Sequence, residues 1–490
     1  MVNQHGQIPP ETPEFLDHFT YYYSLRRTDA EIAELMKAHY DTEKYTLGIK
    51  SVYRLRVKHG LLKTRGQRHT EVTAAAQIAS IKETHPHRGT ETIRQDLWHK
   101  YGMQVPRSAV QSYLNATEPH AVQARRIRRF VRRIFYAAGN NDIWTQDQHD
   151  KWGPRFGLWL HISLDPFNGW KNWLKCWWTN KNPRIVVKWY LEACREIGGI
   201  PLLTQSDPGN ENNGVANCQT LARQTLDPSL VGTLQHRWKL HKMNPKPEAE
   251  WSIFRRDAAP PLENLFQAGV DAGLFGIDLT LDWSEKLDEY RQLRNTVTPR
   301  HHKHKILPHG PPMLIRSRPD FCNVLDFKIP VPPELFDELE AIFAPPDHEV
   351  FQLVPPAFEH WANIFYESMD RPRISEDNFW PIFVQLKQSF IDRAEAMIDM
   401  GPVFEVFPAS MERVLKDQLD VTPGLNNALN PNEMHPHIPH LVDTQEGELE
   451  VDDVEDGMDN DSPGRPIYNL DAGDIHYAAA FSDDEDCSDE

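Results

Sequence analysis

Three carboxylates lying far apart along this 490-residue chain are the side chains best placed to do chemistry. They are Asp147 in Trp144-Thr145-Gln146-Asp147, Asp207 in Ser206-Asp207-Pro208-Gly209-Asn210-Glu211-Asn212, and Glu248 in Asn244-Pro245-Lys246-Pro247-Glu248. The first two close short strand-like runs, and the third sits in the opening turn of a helix, where the helix dipole favours negative charge. Two strand-end carboxylates and a helical one can hold a pair of divalent cations, the arrangement used for in-line phosphoryl chemistry. A hard cation such as Mg²⁺ or Mn²⁺ takes oxygen ligands. Two of them about 4 Å apart activate a water or a 3′-hydroxyl and stabilise the leaving oxygen. Glu250, two residues further on, offers an alternative third ligand.

The elements that must carry these residues can be read from pattern. Residues 143–148, 157–165 and 173–178 are predicted strands, and 200–205 a fourth that delivers Asp207 just past its end. Between them a helix starts with Asn182 as cap and Pro183 at its first position, and Gly198-Gly199 stops it. Residues 215–224 form another helix, and 245–256 the one that carries Glu248. Three consecutive strands followed by alternating helix and strand describe a mixed α/β sheet. Ten of the 14 tryptophans fall between Trp144 and Trp251. Most are read as core, with Trp152 or Trp170 available to stack on an unpaired base. His149 is read as a surface histidine. His236, His241 and the run 301–305 lack a ligand pattern and are read as solvated or phosphate-facing.

Upstream the pattern is helical and basic. Thr28 or Asp29 caps a helix with Ile32, Leu35 and Met36 on one face. A second helix, 49–60, is expected to turn Lys50, Arg54, Arg56 and Lys58 outward and to stop at Gly60. This suits a helix-turn-helix reader of the major groove; the same pattern also suits a plain helical hairpin. Residues 72–114 repeat the theme. Arg125, Arg126, Arg128, Arg129, Arg132 and Arg133 then put six arginines into nine residues. Such a run suits phosphate contact, nuclear import or both.

Together, Trp144-x-x-Asp147 on a first strand, an apolar second strand ending in Asp165-Pro166-Phe167-Asn168-Gly169, the Ser206-Asp207-x-Gly209 signature and an Asn-Pro-led helix bearing an acid resemble the integrase core domain of retroviral integrases and related transposases. The resemblance covers about residues 140–256. It implies a ribonuclease-H-like core in which Asp147, Asp207 and Glu248 are the metal ligands and catalytic residues, with two Mg²⁺ or Mn²⁺ ions as cofactors. Asp165 corresponds to a structural acid. The chain departs from the family in the spacing of its later acids: 40 residues separate Asp207 from Glu248 and 42 separate it from Glu250. The retroviral His/Cys zinc module is also missing.

The formal net charge is −18, yet residues 441–490 hold 18 Asp/Glu against the single Arg465, which leaves −1 for the other 440 residues. The body is therefore near neutral, and its local basic patches decide what it binds. The five cysteines show no Cys-x-x-Cys pair, so a reducing compartment is expected rather than a disulfide framework. No basic segment leads an apolar run at the start of the sequence, and no stretch reaches the roughly 18 apolar residues of a membrane span. A soluble, nuclear or otherwise intracellular chain is expected.

The architecture expected is a multidomain α/β protein. It comprises a disordered start (1–14), a helix-turn-helix (15–66), a second such segment (67–120) and an Arg-rich linker (121–139). The ribonuclease-H-like core with a helical extension follows (140–300), then a Pro-rich linker (301–333), a helical C-terminal region (334–420) and a disordered acidic tail (421–490). The function expected is that of a transposon-derived integrase or transposase that binds DNA and performs metal-dependent strand cleavage and transfer. Its partners are then DNA, further copies of the chain as a homo-oligomer on DNA, and a protein that takes the acidic tail. Two alternatives are a catalytically silent descendant acting as a DNA-binding regulator, and an interaction scaffold.

Overall fold

The structure, a computed structural model, describes residues 7–127, 137–239, 244–274, 284–299, 308–352, 354, 356–375 and 378–396. The expectations for 1–6, the Arg-rich run from Arg128 onward, His241, 301–305, the helical C-terminal region beyond residue 396 and the acidic tail lie outside them.

Two helical units come first. In one, α1 (Pro13–Ser24), α2 (Asp29–Leu35) and α3 (Ile49–Lys58) bury Phe15, Phe19, Tyr22, Ile32, Leu35, Met36, Val52 and Leu55 together. Thr28 caps α2 in a reciprocal capping box with Glu31, satisfying two backbone donors that the first turn would otherwise leave open. The short α4 (Thr64–Gln67) leads to the second unit: α5 (Glu71–Thr84), α6 (Thr90–Tyr101), α7 (Arg107–Thr117) and α8 (Pro119–Ile127). Its core includes Ile78, Ile93, Leu97, Val110 and Leu114.

The central element is a five-stranded mixed sheet. Strands β1 (Ile143–His149), β2 (Trp159–Leu164) and β3 (Lys171–Trp177) form an antiparallel meander, with the short α9 (Gly153–Phe156) between the first two. Helix α10 (Pro183–Ile197) follows, its ends set as the sequence predicts: the Asn182 side chain accepts from the Arg184 N–H, and Gly198 takes the left-handed φ of 64° that closes the helix. The stretch predicted as one strand is two. β4 (Gly199–Ile200) pairs with β7 (Ile329–Pro330), and β5 (Leu203–Ser206) runs parallel to β1. Pro201 interrupts them because it has no N–H to give to a ladder. Helix α11 (Asn213–Leu226) leads to β6 (His236–Trp238), an edge strand that the sequence reading lacks, and the sheet order is β3-β2-β1-β5-β6.

Side chains alternate across this sheet, and both faces are covered. Trp144 and Trp173 face α10 and α11. Leu160, Ile162, Leu164 and Leu174 face α12 (Pro245–Asp257), α13 (Ala259–Asp271) and α14 (Ser284–Thr296). Close packing between α10 and α11 depends on Gly214, where a Cβ would come within 2.7 Å of the Pro183 carbonyl oxygen.

The Pro-rich stretch is built into the fold from residue 308 on. Leu314 of α15 (Pro312–Ser317) belongs to the α1–α3 core, and β7 pairs with β4. Helix α16 (Pro333–Phe343) likewise joins the α10–α11 layer through Leu335, Phe336 and Leu339. Among the described residues, α17 (Pro356–Ser368) and α18 (Phe379–Glu395) pair as a helical hairpin, and α18 is tied back by the Trp380 indole donating to the Leu265 carbonyl at 2.9 Å.

Candidate functional site

Register places the first two acids. Thr145 of β1 is the parallel partner of Gln205 of β5, so Asp147 and Asp207, each two residues further along, emerge side by side on the same face. Neighbouring strands lie about 4.8 Å apart. That face is opposite Trp144 and is covered by α12, whose first turn carries Glu248. Three distant segments thus bring one carboxylate each to a single end of the sheet.

The electrostatics report this convergence. Burial pushes the Asp147 carboxyl up to about 7, and the negative charges of Asp207 and then Glu248 add to the shift. The Gln148 N–H favours the anion, as does the nearby Trp251 indole, although its N–H makes no formed hydrogen bond. Burial also raises Asp207, whose Oδ1 is buried without a hydrogen-bond partner. Among the described residues no three His, Cys, Asp or Glu side chains are grouped as a metal centre requires. The acids therefore stand within electrostatic reach of one another without closing into a ligand sphere. Their donor chemistry still fits a hard divalent cation: all are carboxylate oxygens, one is orphaned, and Asp147 is held toward its neutral form by burial and, secondarily, by anions that a cation would neutralise.

Glu250 has a different occupation. It is 1% exposed, accepts from Arg294 Nε at 2.9 Å and lies 3.2 Å from Lys171 Nζ. Burial would raise its carboxyl, but the two cations hold it below the usual carboxylate range. It anchors α12 to β3 and α14, while Glu248, half a turn away, is the helix's carboxylate whose charge reaches Asp147. Asp165 is structural, as expected: it accepts from the Asn141 and Phe167 N–H groups at 2.8 and 2.9 Å.

Sequence reasoning missed the buried amides beneath the acids. Gln146 Nε2 donates to Asn212 Oδ1 at 2.9 Å, and Asn212 Nδ2 donates to the Asp207 carbonyl at 3.1 Å. Asn244 Nδ2 donates to the Gln146 carbonyl at 2.8 Å, while Gln205 Nε2 donates to Asn244 Oδ1 at 3.2 Å. All four residues are at most 3% exposed. The only signal in the sequence is that each lies within five residues of one of the acids.

Several expectations need correction. His149 is buried and stacked on Trp251 at 5.0 Å between ring centroids, and burial pulls it down to about 4. His236 is buried in β6 against Thr204 and Ser206. Trp152 and Trp170 are core residues, unavailable for stacking on bases: Trp152 donates to Glu263 at 2.6 Å, and Arg316 lies over the Trp170 ring. On α3, Lys50 and Arg54 are exposed, but Arg56 is turned inward. It is 5% exposed, forks onto Asp29 at 2.9 and 3.1 Å and donates to the Leu61 carbonyl. Lys58 is exposed but paired with Glu11 at 2.7 Å, and Arg125 pairs with Glu118 at 2.8 Å. Arg126 lies on α8, and Arg128, Arg129, Arg132 and Arg133 are outside the described residues.

No protein-family model matches the chain, and no curated protein matches it. Among solved structures, the cryo-EM structure of a simian T-cell lymphotropic virus intasome in complex with PP2A regulatory subunit B56 gamma is similar over 49% of this chain and 74% of that chain. The identity is 14% and the TM-score 0.25, too low for the likeness to carry an argument. No described helix is long and apolar enough to cross a membrane.

Proposed function

We propose that this chain has a ribonuclease-H-like core and is a divalent-metal-dependent polynucleotidyl transferase of the integrase and transposase kind, with Asp147, Asp207 and Glu248 as its catalytic carboxylates. The observation that carries the reading is the convergence of three acids from β1, the end of β5 and α12 on one end of the sheet, where burial first and the charges of Asp207 and Glu248 second lift Asp147 to about 7. The sheet agrees with it: an antiparallel meander of three strands is extended in parallel by β5 and β6, with the acids beside the β1–β5 junction. Bound Mg²⁺ or Mn²⁺ would activate the attacking oxygen and stabilise the leaving one. The chain's own contribution is to hold three carboxylates in one place, and Asp147 must give up its proton for all three to act as anions. Lys50 and Arg54 on α3, with the arginine run after α8, supply phosphate contacts. This reading places the protein on DNA, as a homo-oligomer, in the nucleus.

One observation favours a second reading, a catalytically silent DNA-binding regulator: the carboxylates are not grouped closely enough to form a metal centre among the described residues. A nicking and strand-transfer assay on labelled DNA with Mg²⁺ or Mn²⁺ separates the two. Activity that disappears in Asp147→Asn, Asp207→Asn and Glu248→Gln supports the enzyme. An inactive parent that still binds DNA through α3 supports the regulator.

A further inference from the structure

We infer that Asn244 is a positioning residue, the buried cross-link that keeps the elements bearing Asp147, Asp207 and Glu248 in register. This rests on the reading that these carboxylates form the reacting site.

Asn244 stands at the start of α12, where an asparagine ordinarily caps the helix by accepting from its first N–H groups. Here its side chain makes no cap bond. Pro245 and Pro247 explain the difference: of the four N–H groups that open a helix without intrahelical partners, two do not exist in this one. The Asn244 amide is released from capping and spends both ends across the sheet.

Its targets are specific. The pairing of β1 with β5 ends at Thr145 and Gln205, and the next carbonyl, that of Gln146, accepts from Asn244 Nδ2 at 2.8 Å. That carbonyl belongs to the peptide unit joining Gln146 to Asp147, so Asn244 grips the backbone immediately before the first acid. The other end, Oδ1, accepts from Gln205, two residues before the second acid. Glu248 follows Asn244 by four residues, one helical turn, and therefore moves with it. Gln146 extends the link to Asn212, which holds the Asp207 carbonyl. At 0% exposure Asn244 meets no competition from water for these bonds.

The arrangement also accounts for like charges tolerating one another. Asp207 and Glu248 repel Asp147, and repulsion would draw α12 away from the sheet; the hydrogen bonds of Asn244 oppose that movement.

The test is amide hydrogen exchange read by mass spectrometry over β1, β5 and α12 in the full-length parent, Asn244→Ala, Gln205→Ala and Arg56→Ala. Asn244→Ala should raise exchange at the end of β1 around Asp147 and in the first turn of α12 by about tenfold while β3 keeps the parent's rate. Gln205→Ala, which removes one arm only, should raise it less at the same places and serves if Asn244→Ala does not fold. Arg56→Ala perturbs the α1–α3 unit and should leave exchange at these places unchanged. Exchange unmoved in Asn244→Ala, or raised equally by Arg56→Ala, overturns the inference. If exchange rises as expected while the parent neither nicks nor joins DNA with Mg²⁺ or Mn²⁺, the positioning role stands and the enzymatic reading fails.

Discussion

Replacing Asp147 with asparagine should stabilise the protein, and by an amount that grows with pH. A carboxyl whose folded value lies above its unfolded one keeps its proton longer in the folded state, so stability falls as pH rises between the two and the full cost is present above the higher. For Asp147 those values are 3.8 and about 7. Three units correspond to about 4 kcal/mol, and of this roughly 2–3 kcal/mol falls between about pH 5 and about pH 8. Asp147 is partly exposed, so the lower end of that range is the working figure. Asparagine cannot ionise and escapes this cost. The variant's advantage over the parent should therefore be about 2 kcal/mol larger near pH 8 than near pH 5, several degrees in melting temperature for a domain of this size. Intrinsic fluorescence is a suitable probe, because ten of the 14 tryptophans lie between Trp144 and Trp251 and report the sheet's own transition. Other titrating groups, Asp165 among them, are common to both proteins and cancel in the comparison. Mg²⁺ should stabilise the parent near pH 8 and do so far less for the variant. An advantage that is the same at both pH values, or a variant less stable near pH 8, would refute the claim that burial, aided by the charges of Asp207 and Glu248, holds Asp147 toward its neutral form.

Glu250→Gln should cost about 3–5 kcal/mol in chemical denaturation, because it leaves Arg294 and Lys171 buried without their anion; Glu248→Gln should cost little and raise stability near pH 8. Arg56→Ala should lower stability by about 2–3 kcal/mol through loss of its fork onto Asp29, measured by thermal melting. Lys50→Ala and Arg54→Ala should leave the melting temperature unchanged, weaken binding to duplex DNA across all sequences and lower the slope of log affinity against log salt by about one each. Gly214→Ala should destabilise by about 1–3 kcal/mol through overpacking against the Pro183 carbonyl, read as a shift in denaturant midpoint at unchanged slope.

What the sequence alone determined is whatever neighbouring residues control. Thr28 and Glu31 form their capping box, Asn182-Pro183 and Gly198 bound α10, and short runs rich in aromatic and β-branched residues mark β1 to β3, because caps, proline, left-handed glycine and strand-forming side chains act within a few residues. Asp147 and Asp207 could be singled out because each closes a short strand-like run. Only the tertiary structure shows what occupies Glu250: it lies half a helical turn from Glu248, and what turns it inward is Arg294, 44 residues away, with Lys171 on another strand. The same holds for Arg56, which a helical pattern shows as one more outward base until Asp29 appears beneath it. It holds too for His149 and His236, which packing buries, and for residues 308–343, whose strand and helix partners lie more than 100 positions earlier. The amide bonds linking Gln146, Gln205, Asn212 and Asn244 are equally invisible along the chain, since a hydrogen bond between distant side chains leaves no local pattern and exists only once the backbone has brought its two ends together.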